Sequence, residues 1–145
     1  HALMTTEARI IDAQAAKAYI LAGKAIVTLR SVRTGVRFTF RVTRAKGDGP
    51  YFVSVLTGPD NTTSYSYHGT LFDVEGDVVV TSKSRVTAEA PSAKAFAWSW
   101  RKLREGQFPA ELEVFHSGRC GRCGRLLTDP DSVVTGLGPI CRGRR

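Results

Sequence analysis

The sequence predicts an α+β fold, in which two helices flank an antiparallel sheet of about five short strands and a small cysteine-containing module follows. The first observation is an alanine-rich segment near the N-terminus with helical spacing of its apolar residues. The second is a series of segments with period-two alternation, separated by turn residues. The third is the position of the three cysteines, which all follow residue 119. We expect a body over residues 4–110, with Met4 as the native start, and a separate module over residues 111–145.

The first predicted helix covers residues 6–22, which contain no helix breaker and precede Gly23, a residue suited to a helix C-cap. Its apolar residues at helical spacing should face the core: Ile11, Ala15, Ala18, Tyr19 and Ala22.

The second predicted helix runs from Pro91 to about Glu105. An apolar stripe along it should pack on the sheet: Ala93, Phe96, Ala97, Trp100 and Leu103. Trp98 lies off this stripe, beside Lys94, Arg101 and Lys102. It either covers the rim of the sheet, which is the default for a large aromatic residue, or is an exposed stacking residue.

Five strands are predicted over residues 24–31, 36–43, 51–57, 64–72 and 78–82, in an antiparallel meander. A short further strand at 112–116 leads into the C-terminal module. Alternation in the second strand places Val36, Phe38, Phe40 and Val42 on one face and, on the other, Arg37, Thr39, Arg41 and Thr43. The same period in the fourth strand places on one side Tyr65, Tyr67, Gly69 and Leu71.

Composition and charge narrow the range of functions. The hydrophobic content of 42% and charged content of 23% are ordinary for a globular protein. No apolar run approaches the roughly 20 residues that span a bilayer, so we expect no membrane partner. Three cysteines clustered at metal-ligand spacing argue against a secreted disulfide framework, so we expect a cytoplasmic location. The net charge of +8 favours a polyanionic partner, above all nucleic acid.

Three cysteines and one histidine near the C-terminus have the spacing of zinc ligands. Cys120 and Cys123 form a C-x₂-C pair. Three residues separate His116 from Cys120, and 17 residues separate Cys123 from Cys141. We predict a zinc ion held by His116, Cys120, Cys123 and Cys141. His68, an aspartate or a group from a partner are alternatives for the fourth position. Four protein ligands leave no open coordination position, so the predicted zinc is structural and not catalytic.

Catalytic residues are not indicated by the sequence. A Cys-His nucleophile would have to use residues already assigned to zinc. His68 has no neighbouring nucleophile or orienting acid, and the best interpretation of Glu111 and Glu113 is a solvated strand edge. We therefore predict a protein that is not an enzyme.

Arginines make up most of the predicted nucleic-acid surface. Arg37 and Arg41 share a strand face with threonines, and tyrosines on a nearby strand could add stacking surface, although an ordinary solvated sheet face explains this pattern about as well. The C-terminal module contributes the remaining predicted contacts: Arg119, Arg122, Arg125, Arg142, Arg144 and Arg145.

The residues from Cys120 to Ser132 (CGRCGRLLTDPDS) and from Gly136 to Cys141 (GLGPIC) resemble an uncharacterised zinc-ribbon-like family. That family is frequent in tailed bacteriophages and actinobacterial genomes. Residues 22–29 and 51–61 are loosely similar to the part that often precedes this tail in phage proteins. The resemblance implies a phage or prophage origin, and with it a bacterial host cell, and a metal site. It implies no activity.

The sequence thus predicts a non-enzymatic, zinc-stabilised accessory protein of phage type that binds DNA or RNA through arginine-rich surfaces. The alternative is a small factor that binds a host or phage protein, such as an inhibitor of a host defence or nucleic-acid-handling complex.

Overall fold

Six antiparallel strands and two helices form the fold. The structure, a computed structural model, describes residues 8–47, 49–58 and 64–117. The strands are β1 (Ala8–Ile10), β2 (Lys24–Ser31), β3 (Arg37–Arg44), β4 (Tyr51–Leu56), β5 (Tyr65–Leu71) and β6 (Leu112–His116), and the helices are α1 (Ala13–Ile20) and α2 (Pro91–Arg104). They form one sheet in the order β1-β6-β2-β3-β4-β5. The predicted α+β class and antiparallel sheet are confirmed, with six strands where about five were expected.

The strand β6 enlarges the predicted meander. Strands β2 to β5 pair consecutively, as expected for hairpin connections. β6 pairs with the free edge of β2, and β1 then pairs with β6. Residues 112–116, which the sequence analysis places at the start of the C-terminal module, therefore lie inside the sheet of the body. The rest of the predicted zinc module, from residue 118, lies outside the described residues.

The predicted helix over residues 6–22 is wrong at its N-terminal end. Helix α1 begins only at Ala13, because the Asp12 side chain caps it by accepting a hydrogen bond from the Ala15 amide at 3.0 Å. The predicted core face is confirmed only in part: Tyr19 is buried and Ala15 packs against the core, whereas Ile11 is 73% exposed and Ala18 is exposed. The buried residues of α1 are Ala13, Ala16, Tyr19 and Ile20.

Both helices pack on the same face of the sheet. They contact each other and β2. The Phe40 ring of β3 lies 5.0 Å from the Phe96 ring of α2, which stacks on Trp100 at 6.4 Å. Ala97, predicted to be in the core stripe of α2, is exposed, and Ser99 is buried in its place. The helix is therefore rotated slightly from the orientation that apolar spacing alone predicts.

The predicted strand over residues 78–82 does not form. Only Val79 bridges to the sheet, through a pair of backbone hydrogen bonds with Thr70 at 2.8 and 3.0 Å. The segment before it is held on α2 instead, because the Gly76 carbonyl accepts hydrogen bonds from Trp100 Nε1, at 3.1 Å, and from Arg104. This connection between β5 and α2, which we call the crossover, covers part of the outer edge of β5. It thereby limits the pairing of that edge with a strand of another chain.

A β-bulge in β5 changes which of its residues share a face. Val53 pairs with Gly69 but Ser54 pairs with Tyr67, so His68 is the extra residue. The prediction that Tyr65, Tyr67, Gly69 and Leu71 lie on one side is therefore wrong: Gly69 and Leu71 face the core, while both tyrosines face away from the helices. A Cβ at Gly69 would lie 2.6 Å from Val78 Cγ1, so this close packing requires glycine.

His68 should make the protein sensitive to mild acid. It is 4% exposed, burial lowers the pKa of its imidazole below 6.5, and a backbone hydrogen bond with Val86 opposes that shift. Because the unfolded chain binds the proton more tightly, the free energy of unfolding is highest above pH 6.5 and declines as the pH falls below it. We expect the thermal midpoint to fall from pH 7 to pH 5, and to fall less in a His68→Gln variant. Equal falls in the two proteins would contradict this assignment.

Candidate nucleic-acid interface

Arginine side chains of β3 lie on the sheet face that points away from the helices. Phe40 and Val42 are fully buried on the helix side, whereas Arg37 and Arg41, which alternate with them, are exposed and half-buried. Thr39 and Thr43 share the face of the two arginines, so the predicted alternation in this strand is confirmed.

Strand register brings further cations to the same face. Arg30 pairs with Arg37, Lys24 pairs with Thr43, and Arg9 of β1 pairs with Phe115 of β6. We call this surface the basic face and define it by its charged residues: Arg9, Lys24, Arg30, Arg37, Arg41 and Glu113. Five cations and one carboxylate give the described part of this face a net charge of +4.

Two arginines share the one carboxylate that the described residues place on the basic face. Glu113 forms an ion pair with Arg30, and its second oxygen lies 3.7 Å from Arg9 Nη1. The Glu113 side chain is 17% exposed, so the pair is partly shielded from solvent. Glu113 therefore positions two cations at one end of the basic face. The prediction that Glu113 belongs to a solvated strand edge is wrong, because its side chain is mostly buried and ion-paired.

Arginines of the basic face lie over aromatic rings. The guanidinium carbon of Arg41 is 4.6 Å from the centre of the Tyr65 ring, and that of Arg37 is 5.8 Å from the Phe115 ring. When a guanidinium stacks on a ring, its N–H groups point sideways, in the plane of the guanidinium and not into the ring. This geometry suits hydrogen bonds to phosphate oxygens. The stack also covers one side of Tyr65. Phe52, which is 40% exposed and 6.4 Å from the Tyr67 ring, is thus the more accessible aromatic surface.

Tyr65 remains protonated at neutral pH. Burial raises the pKa of its hydroxyl, a change that Arg41 opposes and Tyr19 reinforces. The hydroxyl oxygen is buried and has no hydrogen-bond partner among the residues that the structure describes. The ring therefore offers Arg41 a neutral π surface and not a phenolate.

His116 is the one predicted zinc ligand among the described residues. It is the last residue of β6, is 1% exposed, and its ring centre lies 5.5 Å from that of Tyr19. Cys120, four residues later, can be at most about 14 Å away along the chain. Cys120, Cys123 and Cys141 lie outside the described residues. Within the described ranges, no three His, Cys, Asp or Glu side chains are grouped to hold a metal ion.

The two histidines considered as the fourth zinc ligand are far apart in the sheet. His68 lies on β5 and His116 on β6, with β4, β3 and β2 between these strands. Four steps of about 4.8 Å separate them by about 19 Å, too far for both to bind one zinc ion. A site with three cysteines can therefore include only one of these histidines. His116 is the one close to the cysteines in sequence.

Residues 110–145 match the model of a family of unknown function, DUF6011, over about a quarter of the chain. The matched segment includes β6 and all four predicted zinc ligands. It also includes Arg119, Arg122, Arg125, Arg142, Arg144 and Arg145, which lie outside the described residues. No curated protein and no solved structure matches the chain.

Three cations of the basic face were not among the residues that the sequence analysis proposed for binding. Arg9 falls in the segment that was predicted as helix, so no strand face could be assigned to it. Arg30 and Lys24 lie on a correctly predicted strand, and period-two alternation places them on one face of it. The alternation in β2 is therefore enough to place Arg30 and Lys24 on one face. Their alignment with the arginines of β3 depends on the register between the two strands.

Proposed function

We propose that this protein binds nucleic acid through its basic face and its arginine-rich C-terminal segment, and that it has no catalytic role. The observation that supports this most directly is the group of five cations, with one carboxylate, that the described residues place on one face of the sheet. Such a surface attracts a phosphate backbone without requiring a particular base sequence. Phe52 and Tyr67 add rings beside the charges, the combination that binders of unpaired strands use.

The shape of the surface favours contact with the outside of a nucleic acid. The basic face belongs to a broad sheet and carries no helix within the described residues that could enter a major groove. Its cations therefore suit phosphates, and its rings suit unpaired bases. Neither described helix is long and apolar enough to cross a membrane.

A structural zinc ion is part of the proposal. His116, Cys120, Cys123 and Cys141 would hold it, and it would supply folding energy to a segment with few apolar residues. His116 is anchored in β6, so a zinc ion bound there would fix the arginines of the C-terminal segment relative to the sheet. The resemblance of residues 116–141 to phage proteins supports a role as a phage accessory protein.

A fluorescence-anisotropy titration tests the proposal. Labelled 20-nucleotide DNA and RNA, single-stranded and duplex, are titrated with the protein at about 50 mM salt. We expect saturable binding that weakens steeply as salt is raised, since counterions are released from the phosphates. Failure to bind any of these molecules at low salt would contradict the proposal and favour the alternative, a protein-binding factor.

A further inference from the structure

A groove runs along α2 on the helix side of the molecule, and Arg30 is the one charged residue of the basic face that also lines it. Its larger part, about 760 Å³, lies between the β2–β3 hairpin and the first half of α2. A second hollow of about 570 Å³ adjoins it and shares Trp98 and Glu111 as lining residues. We call the two together the α2 groove. Trp98 is half-buried and contacts the core, so the default prediction for it is confirmed, yet it also forms a wall of both hollows.

The walls of the α2 groove are mainly apolar. Phe38, Ala95 and Leu112 line the larger hollow with Trp98. At its outer end Val36 is 50% exposed, and Val32 of the same hairpin is 49% exposed. A groove of this volume and character accepts a large apolar side chain.

Cations stand at both ends of the α2 groove. Lys94 lines the first hollow and Lys102 the second, with Trp98 midway between them at helical spacing. Eight helical residues place the two lysines about 12 Å apart along the axis. Arg33 adds a third cation beside Lys94. Within the described residues, the side chains of these three cations form no ion pair or hydrogen bond.

We infer that the α2 groove binds a short acidic peptide segment of another protein. An apolar side chain of the peptide would contact Trp98, and acidic residues on either side would reach Lys94 and Lys102. An extended peptide covers 12 Å in about four residues, so the acidic residues would be about two positions before and after the apolar one. This inference does not depend on nucleic-acid binding by the basic face.

Glu111 favours a peptide over a nucleic acid as the occupant. It is exposed and lines both hollows, so it lies at the centre of the groove. A phosphate backbone would meet its negative charge, whereas a peptide backbone N–H can donate a hydrogen bond to it. The charge order along the groove is therefore positive, negative, positive, which matches an acidic peptide with an apolar centre.

Selection from a library of random 12-residue peptides tests the inference on the full-length protein. We expect enrichment of peptides with an aromatic or aliphatic residue flanked by Asp or Glu. A labelled peptide of the enriched consensus should bind Lys94→Glu/Lys102→Glu at least about tenfold more weakly than the wild type. Lys46→Glu/Lys83→Glu changes the net charge equally at exposed positions outside the groove, and should change the affinity less than about twofold.

Several outcomes would overturn the inference. One is selection of no consensus, or of a basic one. Another is an equal loss of peptide affinity in the two double variants, which would indicate net charge and not a site. Displacement of the bound peptide by the hexanucleotide dT6 would assign the groove to nucleic acid. None of these results alters the test of the basic face, because that test changes Arg37 and Arg41, which do not line the groove.

Discussion

We expect the purified protein to contain about one zinc ion per chain, and a Cys120→Ser/Cys123→Ser variant to contain none. Loss of two thiolates removes half of the proposed ligand set, and the remaining imidazole and thiolate cannot complete a tetrahedral site. Zinc contributes on the order of 10–16 kcal/mol to the folding of zinc-finger peptides, so the effect on the C-terminal segment should be large. Atomic emission measures the metal, and tryptic cleavage after Arg119, Arg122 and Arg125 reports the folding of the segment.

A second pair of variants tests His116 as the fourth ligand. His116→Ala should weaken zinc binding at least about 100-fold in competition with a chelator. His116 is also a buried residue of β6, so the variant will lose stability for a second reason. Val114→Ala is the matched control: Val114 is fully buried two residues earlier on the same strand, and its truncation should cost about 2 kcal/mol without changing zinc affinity. Unchanged zinc affinity in His116→Ala would show that another group completes the site.

Removal of two charges from the basic face should weaken nucleic-acid binding by about 10- to 100-fold at low salt. The variant is Arg37→Gln/Arg41→Gln, which removes the charges without introducing repulsion. The loss should be similar for all base sequences, because phosphate contacts carry no sequence information. Anisotropy titrations with the same oligonucleotides measure it.

The control for this variant must lose the same net charge elsewhere. Lys83→Gln/Arg101→Gln does so at two exposed positions outside the basic face, one in the crossover after β5 and one on α2. We expect its affinity to stay within about threefold of the wild type. Thermal unfolding checks that Arg41→Gln, which removes the guanidinium from the Tyr65 ring, leaves the sheet folded.

Strands with a strong local pattern were predictable, and elements that depend on distant partners were not. Strand β3 differs from its predicted bounds by one residue at each end, because its alternation of aromatic or aliphatic residues with polar ones is itself the signal of a half-buried strand. Residues 8–10 carry no such signal. They form β1 because β6, about a hundred residues later, offers them an edge. Residues 78–82 alternate well enough, but Gly76 is held on α2 and leaves only one bridge to the sheet.

The candidate interface was partly predictable for the same reason. Alternation within β3 is enough to place Arg37 and Arg41 on one face. The contribution of Arg9 requires the β1–β6 pairing, and the outward position of Tyr65 and Tyr67 requires the bulge at His68. A bulge shifts every later side chain to the opposite face, and Gly69, a glycine within the strand, is the local sign of it in residues 64–72.

The salt dependence of nucleic-acid affinity tests the role of the basic face most directly. For a single strand, each lost phosphate contact reduces the slope of log K against log salt concentration by about 0.7. We therefore predict that Arg37→Gln/Arg41→Gln has a slope shallower than the wild type by about 1.4, and that Lys83→Gln/Arg101→Gln has the wild-type slope. Equal slopes for the wild type and Arg37→Gln/Arg41→Gln would show that the basic face does not contact the phosphates.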